Sequence, residues 1–116
     1  MVKNRSGFLL IAALFTLVSC ASSKKEMHKS AVLHYNSGTQ SLMSQDYTEA
    51  LKSLLKANEI EKNNPEILTN LGMAYHFKGD TALALQCLQK ALELDPKNSD
   101  SKTNIASIYF LQGRIQ

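Results

Sequence analysis

At 116 residues the chain has room for one small domain. Its 44% hydrophobic and 20% charged residues are ordinary for a soluble protein. The formal charge of +3 overstates the balance: Lys3 and Arg5 stand in the first nineteen residues, where no acid does, leaving eleven basic against ten acidic residues from Cys20 onward. Such a balance provides no clustered basic face for nucleic acid and no reason to expect acidic substrates.

The first element is the apolar run Phe8 to Val18, preceded by a basic stretch with Lys3 and Arg5 and followed by the small residues Ser19, Cys20 and Ala21. Eleven residues cover roughly 16 Å, about half of a ~30 Å hydrocarbon core. Residues 1–19 therefore read as a secretory signal peptide rather than a membrane-crossing helix. Leu17-Val18-Ser19-Cys20 resembles the bacterial lipobox, which implies cleavage between Ser19 and Cys20 and fatty acylation, palmitate included, of Cys20. Several chains, at ~0.8 kcal/mol per buried CH₂, hold a protein firmly where one does not. The resemblance implies a lipoprotein of the bacterial cell envelope facing the periplasm. No aspartate follows Cys20, which favours the outer membrane over the inner. Residues 20–30 read as a lipidated, flexible tether. With Cys20 acylated, Cys87 has no intrachain partner; its place in "ALALQCLQKAL" suits buried packing, with intermolecular pairing as the alternative.

Beyond the tether the chain repeats itself at an offset of 34: Gly38 with Gly72, Asp46 with Asp80, Ala50 with Ala84, Leu51 with Leu85, Leu54 with Leu88, Ala57 with Ala91. Two helical stretches per period predict a helix-turn-helix solenoid. The expected helices lie near 28–44, 47–62, 65–78, 81–94 and 99–113. Asp46 and Asp80 open helical runs as N-caps, Asp46 forming a capping box with Glu49. Gly79 suits a left-handed helix end. Asn64-Pro65-Glu66 reads as cap, first-turn proline and an acid at the positive end of a helix.

Residues 65–98 resemble a tetratricopeptide repeat (TPR), with Leu71, Gly72, Tyr75, Gly79, Ala84, Leu88, Ala91 and Pro96 at signature positions. Residues 31–64 form a degenerate first unit, where Ser37, Ser41, Gln45 and Lys62 replace signature residues. Residues 99–116 supply a partial third unit or capping helix through Ile105, Ala106, Tyr109 and Gly113. The expected fold is all-α, a short TPR solenoid of antiparallel helix pairs with about two repeats plus one extra helix. The apolar content of that last helix argues for truncation of a longer chain, with an apolar patch exposed near the C-terminus.

Catalytic and metal motifs are missing: there is no His-x-x-x-His or Cys-x-x-Cys spacing, no phosphate loop and no Gly-x-Ser-x-Gly elbow. No enzyme, cofactor or metal is expected. The TPR resemblance implies instead a concave peptide-binding face bearing Tyr35, Thr39, Leu42, Thr69, Asn70, Met73, His76, Thr103, Asn104 and Ser107, with Phe110 beyond. The carboxylate clamp of some TPRs is excluded: Asn70 fits it, but its cation positions carry Tyr35, Asp100 and Asn104. The expected partner is a protein or peptide of the envelope, with no nucleic acid and no small-molecule substrate. The expected role is a membrane-anchored adaptor in envelope complex assembly, similar to type IV pilus lipoproteins (pilotins) that help a secretin. The alternatives are a regulatory module of a longer chain and a structural envelope lipoprotein.

Overall fold

The structure is a computed structural model that describes residues 25–113. Within them the chain forms α1 (Lys29–Met43), α2 (Tyr47–Ile60), α3 (Pro65–Lys78), α4 (Thr81–Leu94) and α5 (Ser99–Leu111), with no strand among the described residues. The expected signal peptide, Ser19 and Cys20 lie outside the described residues. No helix in the described part is long and apolar enough to cross a membrane.

Each helix starts where a side chain can satisfy its otherwise orphaned N–H groups. The Asp46 carboxylate accepts from the Glu49 N–H at 3.1 Å, and Asp80 does the same for Leu83 at 3.1 Å. Asn64 accepts from Glu66 and Ile67 at 2.9 and 3.2 Å ahead of Pro65, and Asn98 accepts from Ser101 at 2.9 Å. The expected capping box is only half made. Asp46 N–H already donates to the Ser41 carbonyl at 2.9 Å, so the Glu49 carboxylate turns to Lys52 at 3.4 Å instead.

The first-to-second helix turns share one geometry. Gln45, Gly79 and Gly113 all adopt left-handed φ angles of 64°, 89° and 68°. After the first, the Gln45 and Asp46 N–H groups donate to Leu42 and Ser41. After the second, Gly79 and Asp80 donate to His76 and Tyr75. This paired return to the last carbonyls is a Schellman ending. Gln45 makes it without the freedom of glycine, so the degenerate first unit keeps the turn and pays in strain.

Small residues let the paired helices approach. A Cβ on Gly38 would lie 2.5 Å from Leu54 Cγ, and one on Gly72 would lie 2.6 Å from Leu88 Cγ. Ala50, Leu54 and Ala57 of α2 join Ile67, Leu71 and Ala74 of α3 in the main core; Ala84, Leu88 and Ile108 form a second. Cys87 sits half-buried at the margin of the main core, and burial pushes its thiol pKa up. Successive helices pack on one another. The first helices also approach each other, α1 against α3 and α3 against α5, whereas α2 and α4 do not. That difference curves the stack and makes α1, α3 and α5 its inner wall.

Both ends depart from a plain tether-and-cap picture. Met27 already packs on the main core, and the His28 backbone N–H donates to the Glu61 carboxylate. Of the residues expected to serve as tether, 20–24 lie outside the described residues, while Met27 is docked and α1 is under way at Lys29. On α5, Ile108 is buried while Phe110 and Leu111 are 69% and 70% exposed, giving an apolar surface beside the last turn.

Candidate functional site

The inner wall has two grooves, one between α1 and α3 and one between α3 and α5. They are built from the same register positions but differ in what those positions carry. Between α1 and α3 the groove is closed by side chains joining the helices. The Asn70 amide donates to Thr39 Oγ1 at 2.9 Å, and the Thr39 hydroxyl donates to the Tyr35 carbonyl at 2.9 Å. Leu42 packs on the main core, as does Tyr35. Burial raises the Tyr35 phenol pKa, and the Glu66 carboxylate adds to it; hydrogen bonding with Thr39 and Asn70 opposes the rise, and Asp100 adds a smaller push. Tyr35, Thr39, Leu42 and Asn70 thus hold the repeats together at the positions where the sequence places ligand contacts.

Thr69 is also committed to the scaffold. It is buried, its hydroxyl donates to the Pro65 carbonyl at 2.7 Å, and it lies 2.8 Å from Ser101 Oγ and 3.0 Å from the Asn98 amide, which donates to it. A hydroxyl has one proton, so Ser101 must be the donor in their shared bond. This buried knot pins the start of α5 to α3.

Between α3 and α5 the groove is open. Met73 stands where Thr39 stands one repeat earlier, and a thioether cannot receive the Asn104 amide as Thr39 receives Asn70. His76 stands at the repeat position of Leu42 and Ser107 at that of Met73, so this groove carries a ring and a small hydroxyl at those positions. The result is a cavity of about 200 Å³ between the helices, with Gly72 and Leu88 in its lining and Phe77 and Leu111 contributing apolar wall. His76 Nδ1 is buried there with no hydrogen-bond partner. A shallower ledge continues from it along Thr69, Asn70, Asp100 and Thr103, sharing Met73 and Asn104 with the cavity. Among the described residues no lysine or arginine lines either part, and the charged side chain present is Asp100.

Of the ten residues expected on the binding face, Thr69, Asn70, Met73, His76, Thr103, Asn104 and Ser107 line the cavity and its ledge, whereas Tyr35, Thr39 and Leu42 do not. Sequence reasoning missed Phe77 and Leu111 as parts of the site, and it placed Asp100 only at a clamp position that lacks a cation. The substitution of Ser107 for Met73 at the 34-residue offset is the signal that could have revealed the cavity. Phe77 is held from the far side by Tyr47, whose ring stacks on it at 4.8 Å and 14°. Nearby, Lys78 donates to Thr48 at 3.2 Å. Among the described residues no cluster of three or more His, Cys, Asp or Glu side chains is placed to hold a metal ion.

Comparison with known protein families gives two matches: the tetratricopeptide repeat over residues 65–98, and a TPR repeat family over residues 43–79. No curated protein matches the chain. With two hairpins of one register and an inner wall of first helices, the chain carries tetratricopeptide repeats across residues 43–98, in a helical solenoid suited to binding protein or peptide partners.

Proposed function

We propose that this protein is a lipid-anchored TPR adaptor of the bacterial cell envelope, without catalytic activity, that holds a protein partner in its inner groove during assembly of an envelope complex. The observation that carries the anchor is the order of the N-terminal sequence: basic stretch, apolar run, then Leu17-Val18-Ser19-Cys20 directly ahead of the repeats. The groove reading is supported by the open α3–α5 wall, where amide, hydroxyl and apolar groups stand together. Multi-protein envelope machines such as a secretin ring are the class of complex that an anchored adaptor would serve.

Two measurements test the two halves. Growth with a clickable fatty-acid analogue labels the protein through Cys20, and Cys20→Ala abolishes the label; label retained in that variant would remove the anchor. A photo-crosslinker placed at Thr103 captures a partner protein and one placed at Lys56, on the exposed side of α2, does not. Equal capture from both positions would remove the groove as the binding face.

A further inference from the structure

The α3–α5 groove has more chemical definition than a general peptide-binding surface. We infer that it selects a segment carrying one large apolar side chain three residues from a lysine or arginine, the apolar group entering the cavity over Ser107 and the cation meeting Asp100. This rests on the adaptor reading and adds a specificity to it.

Three features of the site converge on that occupant. A dry cavity of ~150 Å³ takes up benzene, so a space of about 200 Å³ accepts a leucine, methionine or phenylalanine side chain. The His76 and Phe77 rings, 5.4 Å apart and tilted, line the same space and give an inserted apolar side chain an aromatic wall to pack on. Among the described residues the ledge leading from the cavity bears Asp100 and no cation, so an approaching lysine or arginine is favoured and an acid is repelled.

Spacing follows from helix geometry. Asp100 and Ser107 are seven residues apart on α5, which is about 10.5 Å along the axis. A peptide in the extended polyproline II conformation covers about that distance in three residues at ~3.1 Å each, one full turn, which brings both side chains to the same face. Asn104 lies between the two ends, with no side-chain partner like the one Asn70 finds in Thr39, and its amide is positioned to bond an extended backbone.

Selection of random twelve-residue peptides displayed on phage against the full chain in detergent tests this. The enriched sequences are expected to place lysine or arginine three positions from leucine, isoleucine, methionine or phenylalanine. For one enriched peptide, fluorescence anisotropy should show Ser107→Met, which restores the residue found at Met73, weakening binding about tenfold or more. Ser107→Ala keeps the hole and should bind as wild type. Asp100→Asn should weaken binding about three- to tenfold at low salt and flatten its salt dependence. All variants should keep the helical circular dichroism of the parent. Enriched peptides of another pattern, blocked by Thr103→Lys but indifferent to Ser107→Met, would overturn the selectivity and leave the groove as a docking site. Failure to enrich any peptide would overturn both.

Discussion

Gly72 and Leu88 touch so closely that a single added methyl would lie 2.6 Å from Leu88 Cγ and 2.8 Å from its Cδ2. The same approach joins Gly38 to Leu54 one repeat earlier, at 2.5 and 2.9 Å. In both hairpins the leucine is fully buried, so it has little room to move aside.

Gly72→Ala is therefore expected to destabilise the protein by about 1–3 kcal/mol, the usual range for overpacking. Gly38→Ala should do the same. Urea unfolding followed by circular dichroism measures both. Combining Gly72→Ala with Leu88→Ala should cost less than the two single changes added together, because the smaller partner removes the clash. Strict additivity would refute the contact.

Gln45 and Gly79 occupy one left-handed turn, but only Gly79 does so without a side chain. Gln45→Gly should relieve backbone strain of order 1 kcal/mol, partly offset by the greater freedom of glycine in the unfolded chain. A rise of a few degrees in Tm is expected. Gly79→Gln, at φ 89°, should lower Tm instead.

The Thr69, Ser101 and Asn98 knot governs how firmly α5 is held. Thr69→Val keeps the shape and leaves Ser101 and the Asn98 amide without their shared acceptor, at a cost of about 1–3 kcal/mol. Hydrogen exchange should rise along α5 first, with α2 and α3 retaining their protection. Uniform loss across all helices would mean that the knot acts on the whole fold.

Tyr35 and Tyr75 both have raised phenol pKa values, first of all because burial disfavours the anion; for Tyr35 the next contribution is Glu66, and for Tyr75 it is Cys87. A raised folded pKa means the unfolded phenol releases its proton first. The stabilisation is complete below the unfolded value near 10 and is lost as pH rises through the folded one. Thermal melts from pH 8 to 11 should fall only in the upper part of that range, and Tyr35→Phe should reduce the fall. In the same pH range Cys87, whose thiol burial also protects, should alkylate more slowly in the native protein than in urea.

Much of the scaffold was legible because its physics is local and periodic. The 34-residue offset marked the residues that share a turn, and caps such as Asp46, Asn64 and Asp80 announced helix starts that the structure places where expected. The reciprocal half of the capping box was not legible, since it depended on Ser41 claiming the Asp46 N–H first. The binding face divides similarly. Pattern placed Thr39, Asn70 and Ser107 on inner positions, but not which of them reach across to a neighbouring helix. Asn70 does so because Thr39 stands opposite; Asn104 does not because Met73 does. Such pairings join residues about thirty positions apart, beyond the reach of any helical period.

The docking of Met27 has a mechanical corollary. If the polypeptide is moored through Cys20, the reach from that residue to the first docked side chain, Met27, is seven peptide units and at most about 25 Å. The repeats would then ride close against the lipid headgroups rather than range freely above them.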